Sequence, residues 1–570
     1  MILSVDQLPE GGEFDLIVVG AGAGGLAAAL FASIAGKSVL VVERTEYVGG
    51  TSALSAGTAW LPGSLHSRTA NPNDDRATVS KFLDAVVGNY APRALREAFL
   101  DSAPEVVSVL DAHSDVKFRA YPLHPDYEQQ AEGATLNGRA LEPVPFDARP
   151  LGDALNAIRP PIPEFTVLGG MMVDRRDINH LLAMTKSWDS AAHSAKILTR
   201  YGLDRLSGRR GTRWVMGNAL VGRFLLSLEK RRVGIVTQAR VDALTKENGR
   251  VTGVALSGGG ASRNLRARLG VVLAAGGYGR DAAKRAELLP QPTPAYSPAA
   301  PGHTGAAQAL ARQLGAGFAQ GGADNAFWAP VSVRRRRDGS TAVFPHFVLD
   351  RSKPGTVCVD QTGRRFVNES ASYHMFARAM YEAHRTRPCI PCYLITDSVG
   401  MWTYGLGMAR MRARDLAPFL ADGYLTRADS VDDLAAKLKV DPANLAATIK
   451  TMNGYAETGV DSEFGRGTTA YHRVNGDASH KPNPTLGPIG KPPFYAVSLY
   501  PGDIGAANGL VVDEWARVLG DGDKPIAGLW ACGAEAASIV GGTYPGPGIT
   551  IGPAIVFGYR AVQDAVGSAT

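Results

Sequence analysis

The chain has 570 residues, 45% of them hydrophobic and 20% charged, which excludes global disorder and gives length for roughly two to four domain-sized units. Four cysteines cannot build a disulfide framework, so a reducing, cytoplasmic setting is expected. The net charge of +6 is unevenly placed: Arg175 to Arg240 holds 14 Lys/Arg against 4 Asp/Glu, which leaves the remainder slightly acidic and argues against nucleic acid as a partner.

Met1 to Phe14 has neither the basic start nor the apolar run of a secretory signal. Leu16 to Gly36 carries no charge, but its clustered glycines predict a turn rather than a membrane span. Asp15 to Val19 predicts a buried strand, Leu26 to Ala35 a helix, and Ser38 to Val42 a second strand. Residues 77–112 suggest one helical stretch, and 115–165 a Pro-rich irregular one. The basic segment 175–213 predicts two short helices around His180 and His193. A helix near Leu220–Glu229 then leads to strands at Gly234–Gln238, Arg250–Leu256 and Leu269–Leu273. A helix at Ala306–Leu314 follows, then strands at Gly509–Asp513 and Gly528–Cys532, and a final helix over Pro553–Val566. The expected class is α/β: a Rossmann-like, discontinuous domain over 1–290 and 489–570, with an α+β domain inserted at 291–488.

The strand–turn–helix carries Gly20-x-Gly22-x-x-Gly25, and an acid, Glu43, ends the next strand. The first glycine permits the tight turn, the second the approach of a pyrophosphate, and the third close helix–strand packing. The helix N-terminus supplies free N–H groups to phosphate, and the acid accepts ribose hydroxyls. A second glycine-rich loop, Gly49-Gly50-Thr51-Ser52 with Ser55, Ala56 and Gly57, follows so soon that an extended dinucleotide, FAD, is favoured over NAD. Gly528 to Gly533, with Gly548 and the last helix, forms the other half. That helix directs N–H groups at the flavin edge where negative charge develops on reduction.

The order of these elements resembles the flavoprotein family of fumarate reductases, succinate dehydrogenase flavoprotein subunits and 3-ketosteroid dehydrogenases. The resemblance covers nearly the whole chain. It implies FAD held by Gly20, Ala21, Gly22, Gly24, Gly25, Glu43, Arg44, Gly50, Thr51, Ser52, Ala56 and Gly57. It adds Val241 at the adenine, Ala275 and Gly276 at the pyrophosphate, and Gly533, Glu535 and Ile551 toward the ribityl and ring.

Three segments bear on the branch. In Asn368-Glu369-Ser-Ala-Ser-Tyr373, soluble fumarate reductases have an arginine where Tyr373 stands, and a dicarboxylate reductase needs that cation. Thr543-Tyr544-Pro-Gly-Pro-Gly548 resembles the Tyr-Pro-Gly-x-Gly signature of 3-ketosteroid Δ1-dehydrogenases. Asp126-Tyr127 resembles their Asp-Tyr-Tyr, with a longer insert and Glu128 in the next position, and Tyr121 is the alternative to Tyr127. The implied chemistry is desaturation of a 3-ketosteroid at C1–C2. Tyr544 and the Gly548 N–H hold the C3 carbonyl, Tyr373 aided by Tyr127 removes the C2 proton, and the C1 hydride passes to FAD. An external acceptor, a quinone or similar, reoxidises the flavin. A Δ4-(5α)-dehydrogenase, an ene-reductase and a non-catalytic flavin-binding membrane protein stay open as alternatives.

No metal site is expected: Cys389-x-x-Cys392 lacks a second pair. His303 fits either a position near the flavin or a helix-start turn, and Arg334–Arg337 reads as a solvated loop. The basic segment mixes arginines with Leu181, Leu182, Met184, Trp188, Ile197 and Leu198, a composition suited to a peripheral contact with anionic membrane. A helical flap on the FAD domain or on a second subunit is the alternative. Either way, its charge is expected outside the catalytic framework.

Overall fold

The computed structural model describes residues 1–208, 210–348 and 350–567, the side chain of Ser207 aside; Arg209 of the basic segment lies outside the described residues. A nine-stranded sheet forms the larger body. Its parallel part runs Ile2–Leu3, Gly234–Val236, Val39–Val42, Glu13–Val19 and Ala261–Leu273, with Pro525–Ala531 alongside the last. Leu16, Ile17 and Val18 sit opposite Val39, Leu40 and Val41, all buried. Both faces are covered, which is why these strands read as unbroken apolar runs. The helix Ala23–Ile34 covers one face together with Ile551–Gly567, Met216–Lys230 and Arg93–His113.

The second sheet is antiparallel and six-stranded. Its order is Thr341–Pro345, Ala326–Arg335, Phe494–Ala506, Cys392–Thr396 and Thr356–Val359, with Thr426–Ala428 also on the long strand. That long strand belongs wholly to the inserted part, so the chain returns to the first sheet after Ala506 rather than at 489.

Several local expectations are revised. The helical stretch 77–112 is two helices, Arg76–Val87 and Arg93–His113, parted by Gly88 at φ +52° and Pro92 at the second N-cap. Arg240–Glu247 is an additional strand, largely exposed and charged, without the apolar run that marks its neighbours. Gly509–Asp513 forms only isolated bridges, Leu510 with Phe318 and Ala536, and Val512 with Val518. Arg334 and Arg335 end a strand rather than forming a loop; Arg334 pairs with Asp422 at 2.6 Å and lies over Phe419. The second basic helix, Trp188–Ser207, has 20 residues and is not short.

Candidate active site

One continuous cavity of about 1630 Å³ runs between the two bodies. Every residue expected at the cofactor or in catalysis lines it except Gly25 and Glu535. Those two stand just behind the wall. A Cβ on Gly25 would lie 1.9 Å from the Gly20 carbonyl oxygen, so the third glycine serves helix–strand contact. Gly22, by contrast, faces open space, its nearest neighbour being Ser52 Oγ at 4.0 Å. The first and last helices both begin at this end and present backbone N–H groups to it. Glu43 caps the strand end, accepting from the Ala21 N–H at 3.0 Å and the Thr45 N–H at 2.8 Å.

His303 packs over Gly276, with Nε2 3.2 Å from Thr51 Oγ1. Its Nδ1 is buried without a partner among the described residues, and burial, with Arg159 and Arg280 nearby, lowers its pKa to about 4. Glu535 Oε2 accepts from the Gly277 N–H at 3.0 Å; burial raises its carboxyl to about 7. An open backbone cradle, two helix N-termini and an unpartnered imidazole nitrogen together fit a dinucleotide.

At the far end three tyrosines converge. The rings of Tyr127, Tyr373 and Tyr544 lie 5.2–5.5 Å apart pairwise, and the Tyr127 and Tyr373 hydroxyls are 3.2 Å from each other. Each arrives on a different segment. Tyr373 opens the helix Tyr373–His384, capped by Ser372, whose hydroxyl accepts the Met375 N–H. Four residues earlier, the fully buried Glu369 takes Arg365 at 2.8 Å and Arg466 at 3.0 Å, fixing the approach to that helix.

Tyr127 donates its N–H to the Pro545 carbonyl at 2.8 Å, which ties it to the turn bearing Tyr544. Its neighbour Asp126 is fully buried, holding Trp60 Nε1 at 3.0 Å and Arg139 at 2.7 Å, and burial raises its carboxyl to about 6. Gly548 has φ +89°, and a Cβ there would strike Thr58 backbone at 2.6 Å. Its carbonyl accepts from Trp60, while its N–H has no protein acceptor among the described residues. Tyr544 and that N–H belong to one turn, and both residues line the cavity.

Burial pushes the phenols of Tyr127 and Tyr373 well above their ordinary range, and that of Tyr544 to about 12. Tyr121, the alternative to Tyr127, lies under the Arg175 guanidinium at 5.4 Å and does not join the cluster. A fourth aromatic does: Tyr471, whose ring is 4.9 Å from that of Tyr127. It sits on the six-residue helix Ala470–Asn475, in no recognisable motif.

The basic segment is not outside this site. Arg175, Ile178, Asn179, Leu181 and Leu182 of its first helix line the cavity. Ile197 of the second helix is buried against Met171 and Val173, with Leu181 and Leu198 packed on them. Trp188 is 93% exposed and Leu206 85%. Among the described residues, no group of His, Cys, Asp and Glu could hold a metal. All four cysteines are free and buried, so the CxxC is a pair of core thiols.

The FAD binding domain family matches residues 15–551. The chain is 38% identical to 4-oxocyclohex-2-ene-1-carboxylate 5-dehydrogenase of Sinomonas cyclohexanicum, over 96% of this chain and 93% of that one. It is 34% identical to 3-oxosteroid 1-dehydrogenase of Mycolicibacterium smegmatis, over 98% of each. The crystal structure of 3-ketosteroid Δ1-dehydrogenase from Sterolibacterium denitrificans, in complex with 1,4-androstadiene-3,17-dione, superposes with a TM-score of 0.91. It is 35% identical, covering 98% of this chain and 100% of that one. The chain belongs to the 3-ketosteroid Δ1-dehydrogenase family. It is an FAD-dependent dehydrogenase, and the α/β fold expected from its first strands and glycines is the one observed.

Proposed function

We propose that this flavoenzyme introduces the C1–C2 double bond into 3-ketosteroids. The observation that carries the reading is the meeting of Tyr127, Tyr373, Tyr544 and the Gly548 N–H on one wall of the cavity that holds the cofactor cradle. Tyr544 and Gly548 donate to the C3 carbonyl oxygen, where enolate charge develops; such a donor is worth roughly 10²–10³ in rate. Tyr373, as its phenolate, takes the C2 proton and becomes the neutral phenol; before the transfer the Tyr127 hydroxyl at 3.2 Å steadies that phenolate by donating to it. FAD, when bound, supplies the hydride acceptor at N5 and hands electrons to an external acceptor such as a quinone.

Anaerobic mixing of the holoenzyme with androst-4-ene-3,17-dione is the direct test. That steroid already holds the C4–C5 double bond, so bleaching of the flavin reports Δ1 chemistry alone. Intact, unbleached FAD would sink the assignment.

A second reading, a smaller ring ketone in place of the steroid, is favoured by Arg175 and Lys353 on the cavity wall. A hydrocarbon skeleton leaves such cations unused, and a ring keto acid is the substrate type named for the Sinomonas relative.

In this proposal the enzyme works in the cytoplasm against an anionic membrane surface, where sterols and quinones reside. Exposed Trp188, Leu203, Leu206 and Met184, beside exposed Lys186 and Lys196, support it. No helix of the described residues is long and apolar enough to cross a membrane, so the contact is peripheral. Co-sedimentation with phosphatidylserine vesicles should fall as salt rises; absence of binding at low salt removes the idea.

A further inference from the structure

A cavity built only for a steroid skeleton has no use for a half-buried arginine whose guanidinium closes on no carboxylate. Arg175 is such a residue. It opens the helix Arg175–Leu182, at the helix end where a cation is disfavoured. It lies over the Tyr121 ring at 5.4 Å, and no ion pair or hydrogen bond of its guanidinium is found among the described residues. Of the acids around it, Glu142 feels the Arg175 charge without forming an ion pair with it, and both Glu142 and Asp174 are drawn to Arg119. Asp174 caps that helix and takes Arg119 at 3.1 Å, while Glu142 is 3.8 Å from the same Arg119. Lys353, another cation of the cavity lining, donates to the Gly476 carbonyl at 2.6 Å.

The second observation is independent. Tyr471 lines the cavity at 4% exposure, and its buried hydroxyl has no hydrogen-bond partner among the described residues. Leaving a buried hydroxyl unpaired is unfavourable, so a donor held this way beside a cavity points to a ligand acceptor. Two guanidinium groups act electrostatically on this hydroxyl, Arg351 behind the wall and Arg175 on it; Arg175 also acts on Tyr127. Arg351 itself is saturated by backbone carbonyls, including those of His346 and Glu369, so its charge is felt without its hydrogen bonds being free.

Resting on the ring-ketone desaturation proposed above, we infer that Arg175 and the Tyr471 hydroxyl form a carboxylate subsite beside the catalytic tyrosines, so that the preferred substrate is a cyclic ketone bearing an acid group. The guanidinium supplies charge and the phenol a directed hydrogen bond. Because Tyr471 touches Tyr127, the acid lies near the reacting ring. A monocyclic keto acid and a steroid acid both present this chemistry.

The test uses the FAD-loaded enzyme and two readouts. Binding of cyclohexanecarboxylate, which has no ketone to oxidise, is followed by perturbation of the flavin spectrum. The subsite predicts saturable binding that weakens 10–100-fold in Arg175→Gln, the worth of one hydrogen bond to a charged group, and less in Arg175→Lys. Anaerobic flavin reduction is then compared for 4-oxocyclohexanecarboxylate and its methyl ester, and for 3-oxochol-4-en-24-oate and its methyl ester. The acid should exceed its ester at least tenfold in kcat/KM in one pair, which identifies the source, and the ratio should collapse toward one in Arg175→Gln. Tyr471→Phe should reduce the same ratio about fivefold. Acid and ester reacting alike, or cyclohexanecarboxylate binding unchanged in Arg175→Gln, overturns the subsite. Failure of every ketone to bleach the flavin, with cyclohexanecarboxylate binding intact and sensitive to Arg175, overturns the desaturation reading and leaves the subsite standing.

Discussion

The two ends of the cavity are built from different materials. The cofactor end is mostly backbone: glycines without side chains, helix N-termini and one carboxylate that caps a strand. The catalytic end is mostly side chains, and its four tyrosines come from positions 127, 373, 471 and 544, each carried by a separate segment. The backbone cradle tolerates little change at Gly20, Gly25 and Gly57, where an added Cβ meets main chain. A cage of side chains can be altered one group at a time while the fold persists.

The sharpest break in that comparison is Gly25→Val. With main chain 1.9 Å from a Cβ at this position, the variant should be purified without flavin or not at all, as read from its visible absorbance per protein. At the other end, Tyr373→Phe should keep its flavin and slow anaerobic reduction by steroid about 10²–10⁴-fold, the range of a lost general base. Loss of flavin there would mean the two ends are not separable. Tyr127→Phe, which removes only the hydroxyl 3.2 Å from Tyr373, should cost about 10–100-fold.

The mildest probe is pH. In the proposed mechanism Tyr373 must be deprotonated to act, and burial holds its phenol above its ordinary value of about 10. The deprotonated fraction therefore grows with pH throughout the range below that value. The reduction rate should climb from pH 7 to 10, by up to about tenfold per unit, without levelling off. A plateau near pH 7 would assign the proton to another group.

The same contrast governs what could be read from the chain. The cofactor end was legible because its parts are contiguous: strand, Gly20 to Gly25, helix and Glu43 fall within one short βαβ unit. Tyr373 and Tyr544 could be found because each sits in a local frame, Asn368-Glu369 and the Gly/Pro turn. Tyr471 has no such frame; only the folded chain brings it to Tyr127. The helix break at 88–92 did leave a signal, Gly88 and Pro92, which apolar periodicity overrode. Arg240–Glu247 left none, since an exposed edge strand need not be apolar. The placement of Arg175 was likewise invisible. Charge density along a sequence says nothing of which way a helix faces, and here one side of a basic hairpin turns inward to the cavity.

The Glu369 ion cluster has a consequence for altering this enzyme. Arg365 and Arg466 both close on that one carboxylate, at 2.8 and 3.0 Å. Tyr373 follows Glu369 by four residues, and Tyr471 follows Arg466 by five, so two walls of the reaction chamber hang from one bracket. Breaking such a buried pair costs about 3–5 kcal/mol. Directed evolution for new ring substrates should therefore find its useful changes on the chamber wall around Arg175 and Leu182, and leave the bracket untouched.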